Sequence, residues 1–194
     1  HFFGINLNRG ISLPSGWREF DEIISEKYST TEPEVEVNDN DLMMLAYTSG
    51  TEARPKGVML THRNYLSSTI PAWILNLRLK EEDVYLYYMP FYTIAGLGSF
   101  TTLAVIGLTM ILNYNVNPET ALQRIDKEKA TIISQTPAFY IRVSQSPNFT
   151  KADLSSVKAC LVYGGLIPRS MVDDWVKTIP NMLWMTYWGQ SELA

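Results

Sequence analysis

Residues 47–58 read YTSGTEARPKGV. An apolar run, 42–47, enters a loop carrying Thr48, Ser49 and Thr51, with Gly50 and Gly57 inside it and Lys56 near its end. Val58, Met59 and Leu60 follow, and Thr61 stands where a helix N-cap belongs. The pattern predicts a buried strand, then a loop, then a helix. Small residues let backbone N–H groups approach an anion, hydroxyls donate to it, and a lysine adds a point charge. That composition suits phosphate. It is not the G-x-x-x-x-G-K-[ST] loop, because Lys56 precedes the second glycine. A surface turn with a lysine in it has the same local composition.

Downstream the chain alternates between two periods. Tyr65, Leu66, Ile70, Trp73, Ile74 and Leu77 form a helical stripe behind Thr61, with Pro71 inside it to kink or interrupt the helix. His62, in the first turn, reads as a packing or capping residue. Residues 84–89 read as a strand. Residues 91–112 hold no charge and are long enough to cross a bilayer, yet Gly96, Gly98 and Gly107 divide them. A helix over 93–106 and a strand over 108–112 account for the same stretch. Asn117-Pro118-Glu119 opens a helix reaching 129. A strand over 131–134, a helix from Thr136-Pro137 to 144, a strand over 157–163, a helix over 168–177 and a strand over 182–187 follow, with Ser191 as a further N-cap. This alternation predicts an α/β fold, a mixed, largely parallel sheet with helices on both faces. Ligands sit beyond the carboxyl ends of such strands, which singles out the loops after Tyr47, Met89 and Tyr187 and the Gly164-Gly165 turn.

Upstream, Trp17, Phe20, Ile23 and Ile24 sit at helical spacing among acidic residues, so 17–28 reads as an amphipathic helix. Residues 30–40, acidic and carrying Pro33, read as a solvated linker. The expected organisation is a lead-in helix and linker over 1–40 and an α/β subdomain over 41–194. The start at His1, without a methionine or leader, suggests a piece of a longer chain. Its 194 residues are 46% hydrophobic and 19% charged, a globular composition. A net charge of −4, with no run of lysine or arginine, excludes nucleic acid or an anionic membrane as the main partner. The single cysteine, Cys160, excludes an internal disulfide, fits a reducing, cytoplasmic setting, and reads as a buried structural thiol. Two histidines, His1 and His62, cannot build a histidine-rich metal site.

The loop at 47–58 resembles the signature [YF]-T-S-G-T-[TS]-G-x-P-K-G-V of the adenylate-forming (AMP-binding) superfamily, which includes acyl-CoA ligases, luciferases and peptide-synthetase adenylation domains. Thr48, Ser49, Gly50, Thr51, Pro55, Lys56, Gly57 and Val58 match, while Glu52 and Ala53 depart where the loop would meet phosphate. Three further stretches follow in family order. Residues 89–96 resemble P-[LM]-[FY]-H-x-x-G, with Pro90, Tyr92 and Gly96 matching and Thr93 in place of the frequent histidine. Residues 163–168 resemble the G-G-[AS]-P-[LM] turn in Gly164 and Gly165, while Leu166 and Ile167 depart. Residues 187–192 resemble [YF]-G-x-[TS]-E through Trp188, Gly189, Gln190, Ser191 and Glu192.

The resemblance, nearest in look to fatty-acyl-CoA ligases, implies an ATP-dependent acid–CoA ligase that works through an acyl-adenylate. Its substrates would be ATP, a carboxylic acid and coenzyme A, with Mg2+. It assigns ATP phosphate binding to Thr48, Ser49, Gly50, Thr51, Lys56 and Ser191. Adenine binding falls to Gly164, Gly165, Leu166, Tyr187, Trp188 and Gly189, the acyl pocket to Tyr92, Thr93 and Gly96, and the metal to Glu192. The uncharged 91–112 stretch favours an apolar acid, since an unpaired ammonium there would be costly. The family's T-G-D motif, its hinge and its C-terminal domain with a catalytic lysine have no match. The 194 residues alone are therefore expected to be inactive, with no catalytic residue among them. Two alternatives stay open: an amino-acid adenylation domain, and a non-catalytic nucleotide-binding relative. The expected partners are small molecules alone, with no transmembrane span, and nothing in the sequence indicates an oligomeric state.

Overall fold

The structure, a computed structural model, describes residues 2–4, 12–22, 24, 29–48, 54–113 and 115–193. The chain divides into two units, His1–Val37 and Asn38–Ala194.

In the first unit, β1 (Phe2–Gly4) pairs in parallel with β2 (Trp17–Glu19), and a 3-10 turn, Phe20–Glu22, follows. The helix expected from residue 17 is not there. Trp17, Phe20 and Ile24 stay exposed rather than forming a buried helical stripe, and Trp17–Glu19 pair with Phe2–Gly4 as a strand instead. Ile23 and residues 25–28 of that expected helix lie outside the described residues. Residues 32–38 carry no regular element.

The second unit opens with a hairpin of β3 (Leu42–Thr48) and β4 (Lys56–Thr61). The sequence reading placed a buried strand here, then a loop, then a helix from Thr61. The structure shows an antiparallel pair outside the main sheet, with Leu42, Leu45, Tyr47 and Met59 exposed. Helix α1 (His62–Leu77) then starts on a capping box: Thr61 Oγ1 accepts from Asn64 N at 3.2 Å, and Asn64 Oδ1 accepts from Thr61 N at 3.3 Å. Pro71 does not interrupt α1. It sits on the exposed side, where water can satisfy the Ser67 carbonyl that loses its donor.

The remaining elements are β5 (Val84–Tyr87), α2 (Ile94–Ile106), β6 (Thr109–Leu112), α3 (Pro118–Glu128), β7 (Ile132–Gln135), α4 (Pro137–Ser144), β8 (Ala159–Tyr163), α5 (Arg169–Thr178) and β9 (Leu183–Tyr187). The uncharged 91–112 stretch is α2 and β6, separated by Gly107 in the left-handed region at φ 82°. Among the described residues no helix is long and apolar enough to cross a membrane.

Strands β5 to β9 form one parallel sheet in the order β6-β5-β7-β8-β9. Alternation along each strand sends Tyr85, Ile132 and Leu161 to one face, where Trp73 and Leu77 of α1 and Leu103 of α2 cover them. Leu86, Ile133, Cys160 and Val162 face α3, α4 and α5 through Leu122, Ile125, Phe139, Tyr140 and Trp175. The Tyr140 hydroxyl is shared between the Ile133 and Leu161 carbonyls, at 2.8 and 3.0 Å. At the amino ends of the strands, buried Asp83 accepts from Thr131 Oγ1 at 2.8 Å, Lys158 Nζ at 2.6 Å and Lys80 N at 2.9 Å. These bonds join the entries of β5, β7 and β8.

Candidate functional site

Chain direction across the sheet reverses between β5 and β7: β6 follows β5 on one side, and β7, β8 and β9 follow on the other. Such a switch point leaves a crevice beyond the carboxyl ends of the strands. A cleft of about 510 Å³ opens at those ends. Ser68, Ala72 and Trp73 of α1 form one side. Met89, Thr93, Ile94 and Ala95 come from the exit of β5, and Thr136 from the exit of β7. Tyr163 and Gly164 end β8, and residues 187–191 with Leu193 close the far side beyond β9. None of these lining residues is charged.

Local geometry fixes several of them. Thr93 is the N-cap of α2: its hydroxyl accepts from Gly96 N at 3.0 Å and donates to Pro90 O at 2.8 Å. A Cβ on Gly96 would stand 2.0 Å from Pro90 O, so only glycine lets the chain fold back so closely. Trp73 meets Tyr163 and Tyr187 edge-on, each at 6.3 Å between ring centroids. The Tyr187 hydroxyl donates to Ala72 O at 2.9 Å, tying the end of β9 to α1. Burial pushes the Tyr163 phenol up to about 12, against a smaller opposing pull from the Ser134 hydroxyl. Gly164, at φ 82°, turns the chain after β8 in a conformation that favours glycine.

Of the residues proposed from sequence, Thr93, Gly164, Tyr187, Trp188, Gly189 and Ser191 meet in this cleft. Tyr92 and Leu166 do not; they are 90% and 94% exposed and point into solvent. Gly165 lies off the lining, and Gly96 is sealed beneath it, its carbonyl accepting from Tyr87 Oη at 2.7 Å. Thr48 and Lys56 face each other across the hairpin register, and Lys56 is exposed with no carboxylate partner among the described residues. Strand β3 lies against the 3-10 turn Ser191–Leu193, which brings the hairpin to the same end of the sheet. Ser49, Gly50 and Thr51 lie outside the described residues, as do Glu52 and Ala53.

Trp73, Thr136 and Tyr163 line the cleft without having been singled out. Trp73 belongs to a core stripe and Thr136 opens a helix, so neither carried a functional signal. Strand alternation was the signal for Tyr163, because it shares a face and a level with Tyr187.

Among the described residues no group of three His, Cys, Asp or Glu side chains could hold a metal. Glu192 is an exposed carboxylate between cleft-lining Ser191 and Leu193. Magnesium commonly takes one or two carboxylates and fills its remaining positions with water and substrate phosphate, so this donor set fits a cation carried by a nucleotide. Cys160, wholly buried with its thiol pushed up by desolvation, is structural.

Comparison with known proteins bears on the family and the fold. The chain is 36% identical to a long-chain-fatty-acid–CoA ligase of Bacillus subtilis over 159 residues, covering 80% of this chain and 28% of that protein. It is 28% identical to a 4-coumarate–CoA ligase of Pinus taeda over 174 residues, covering 88% of this chain and 32% of that protein. The chain thus spans about a third of the length of these curated relatives. The N-terminal domain of FACL13 from Mycobacterium tuberculosis superposes with a TM-score of 0.83 at 24% identity, over 91% of this chain and 44% of that one. The AMP-binding enzyme profile matches residues 10–194, from the first unit through the end of the cleft, and the chain belongs to that family.

Proposed function

We propose that the full-length polypeptide is an ATP-dependent acid–CoA ligase for an apolar carboxylic acid, with a fatty acid as the first candidate. One observation carries this beyond family membership: the cleft at the switch point has an uncharged lining and an exposed indole, Trp188, at its far side. An ammonium group would find no counter-charge there, which speaks against an amino-acid substrate. The activities of the relatives support a CoA ligase, and their different acids leave the acid to the cleft itself.

In the proposed reaction a carboxylate oxygen bonds to the α-phosphorus of ATP and the bond to pyrophosphate breaks. The thiol of coenzyme A then attacks the acyl carbon and AMP leaves. Trp188 and Tyr187 offer flat rings to adenine beside Gly164 and Gly189. Thr48, Lys56 and Ser191, with Ser49, Gly50 and Thr51, hold phosphate oxygens in line. Met89, Thr93, Ile94 and Ala95 enclose the acid and keep water from the mixed anhydride. Glu192 would hold a magnesium ion brought with the nucleotide, which would supply charge neutralisation on the phosphates. The 194 residues alone include no T-G-D motif, and we expect no turnover from them.

The test is acid-dependent ATP–pyrophosphate exchange by the full-length polypeptide, with decanoate, cinnamate and the twenty amino acids. Exchange with apolar acids and none with amino acids is the expected result. Exchange driven by an amino acid would assign the peptide-synthetase class. No exchange with any acid would favour a non-catalytic nucleotide-binding relative, the reading that Glu52 and Ala53 support.

A further inference from the structure

Gln135 ends β7 between two residues of the cleft lining, and it is 4% exposed. Its Oε1 accepts from Thr136 N at 2.7 Å. A backbone N–H can only donate, so the other end of the carboxamide carries the N–H groups. That end meets Met89, with Nε2 3.4 Å from Sδ. A thioether is a weak acceptor, and a sealed amide donor is costly when its bond is poor. The site therefore sets a strong donor against a weak acceptor.

Met89 itself stands at the cleft. It lines the opening beside Thr136, is half-buried, and packs on the sheet-face cluster that holds Tyr85 and Tyr87. An oxidant of a few atoms fits easily in a space of about 510 Å³ and meets Met89 there. Met171 and Met182 are sealed in the opposite core, and Met59 is exposed on β4, off the cleft lining. Oxidation of Met89 would remove the mismatch. A sulfoxide oxygen is a strong acceptor, and Thr136 already fixes the donor that faces it. The methionine side chain is unbranched, so rotation about its last torsions turns a new oxygen toward Nε2.

We propose that Met89 is an oxidation site: a peroxide converts its thioether to the sulfoxide, and Gln135 Nε2 holds the sulfoxide oxygen. A sulfur lone pair attacks one oxygen of hydrogen peroxide, the O–O bond breaks and an S–O bond forms. The two peroxide protons leave with the other oxygen as water. Sulfur gives up two electrons and the peroxide gains them. The cleft wall then presents a dipole where an apolar chain would lie, and an apolar acid binds more weakly. That last consequence rests on the acid–CoA ligase reading; the modification does not.

The test is treatment of the full-length polypeptide, carrying Met59→Leu, with hydrogen peroxide. Peptide mass spectrometry reads each methionine, and calorimetry reads decanoate affinity before and after. One oxygen is expected on Met89 while Met171 and Met182 stay reduced, with decanoate affinity about tenfold lower. Methionine sulfoxide reductase restores it. With Met89→Leu added, peroxide leaves the affinity of that variant where it was. Met89 staying reduced as long as Met171 and Met182 do, or an equal loss in Met89→Leu, overturns the site. In Gln135→Leu the new oxygen has no donor, so peroxide lowers the thermal midpoint further than in the Gln135 protein; equal drops overturn the part given to Gln135. Should that variant fail to fold, Met89→Gln reads the same contact, because its carbonyl stands where the sulfoxide oxygen would. Weak decanoate binding with the midpoint kept is expected of it, and a lost midpoint counts against the contact. If the untreated protein binds no decanoate, the apolar-acid reading falls, while the mass and midpoint measurements still decide the site.

Discussion

Gly96 has a hydrogen where every other residue places a carbon, and that carbon would stand 2.0 Å from a backbone oxygen. Pro90 cannot yield as a flexible side-chain tip would, so Gly96→Ala is expected to cost about 1–3 kcal/mol. A lowered urea midpoint at unchanged m-value is the measurement, and an unchanged midpoint would count against the close approach. The same scale governs the response to alkali. Burial, aided by nearby Tyr163 and Tyr65, pushes the Tyr87 phenol up to about 12, and burial does the same for Tyr163 and Tyr88. Cys160 is shifted in the same direction from its ordinary value of 9.0. Each group's folded pKa lies above its unfolded one, so each favours the protonated, folded state. Their contribution is complete below about pH 9 and is lost progressively as the pH rises toward 12, because the unfolded chain ionises first. Absorbance at 295 nm should show these phenols ionising together with unfolding. Early ionisation, in a chain that stays folded, would contradict their burial.

Elements that carry their own start signals were legible from local sequence. Thr61, Thr93 and Asn117 each accept a backbone N–H of the first turn, so α1, α2 and α3 begin where the caps stand. The hairpin was not legible. Leu42, Met43, Met44 and Leu45 place apolar groups on both faces of β3, which reads like a sheet centre, and the connection to β4 is too long to give a tight-turn signal. The stripe at 17, 20, 23 and 24 failed for a different reason: helical spacing is a local signal, and Trp17–Glu19 pair as a strand with Phe2–Gly4, residues distant in sequence. Between elements, the Asp83 carboxylate joins the entries of β5, β7 and β8 at the edge away from the cleft. Asp83→Ala leaves Lys158 and the Lys80 N–H without their acceptor and Thr131 Oγ1 with only its 3.3 Å bond to Val84 O, and about 2–3 kcal/mol of stability should be lost. Faster amide hydrogen exchange in β7 and β8 is the accompanying sign, and unchanged protection there would show that the carboxylate does not hold the strands together.

At the scale of the molecule, the sequence pointed to the end of the sheet where the cleft opens, because loops beyond parallel strands carried the unusual residues. It did not supply the walls. Ala72 and Trp73 reach the cleft only because α1 crosses the sheet face, a tertiary fact with no local signature. The same topology has a consequence for synthesis. The Tyr187 hydroxyl that closes the cleft bonds a carbonyl 115 residues earlier in the chain. A ribosome adding about 5–20 residues per second leaves Ala72 waiting roughly ten seconds for that partner, with the side of Trp73 that meets Tyr187 uncovered meanwhile. Ribosome-bound chains arrested before β9 has emerged are therefore expected to crosslink to a chaperone such as trigger factor at residue 73, and chains arrested after Leu193 has cleared the exit tunnel are not. Equal crosslinking at both lengths would mean that the face is covered before β9 arrives. Within this unit the cleft closes only when β9 arrives, and the time before it closes is the time in which these residues most need company.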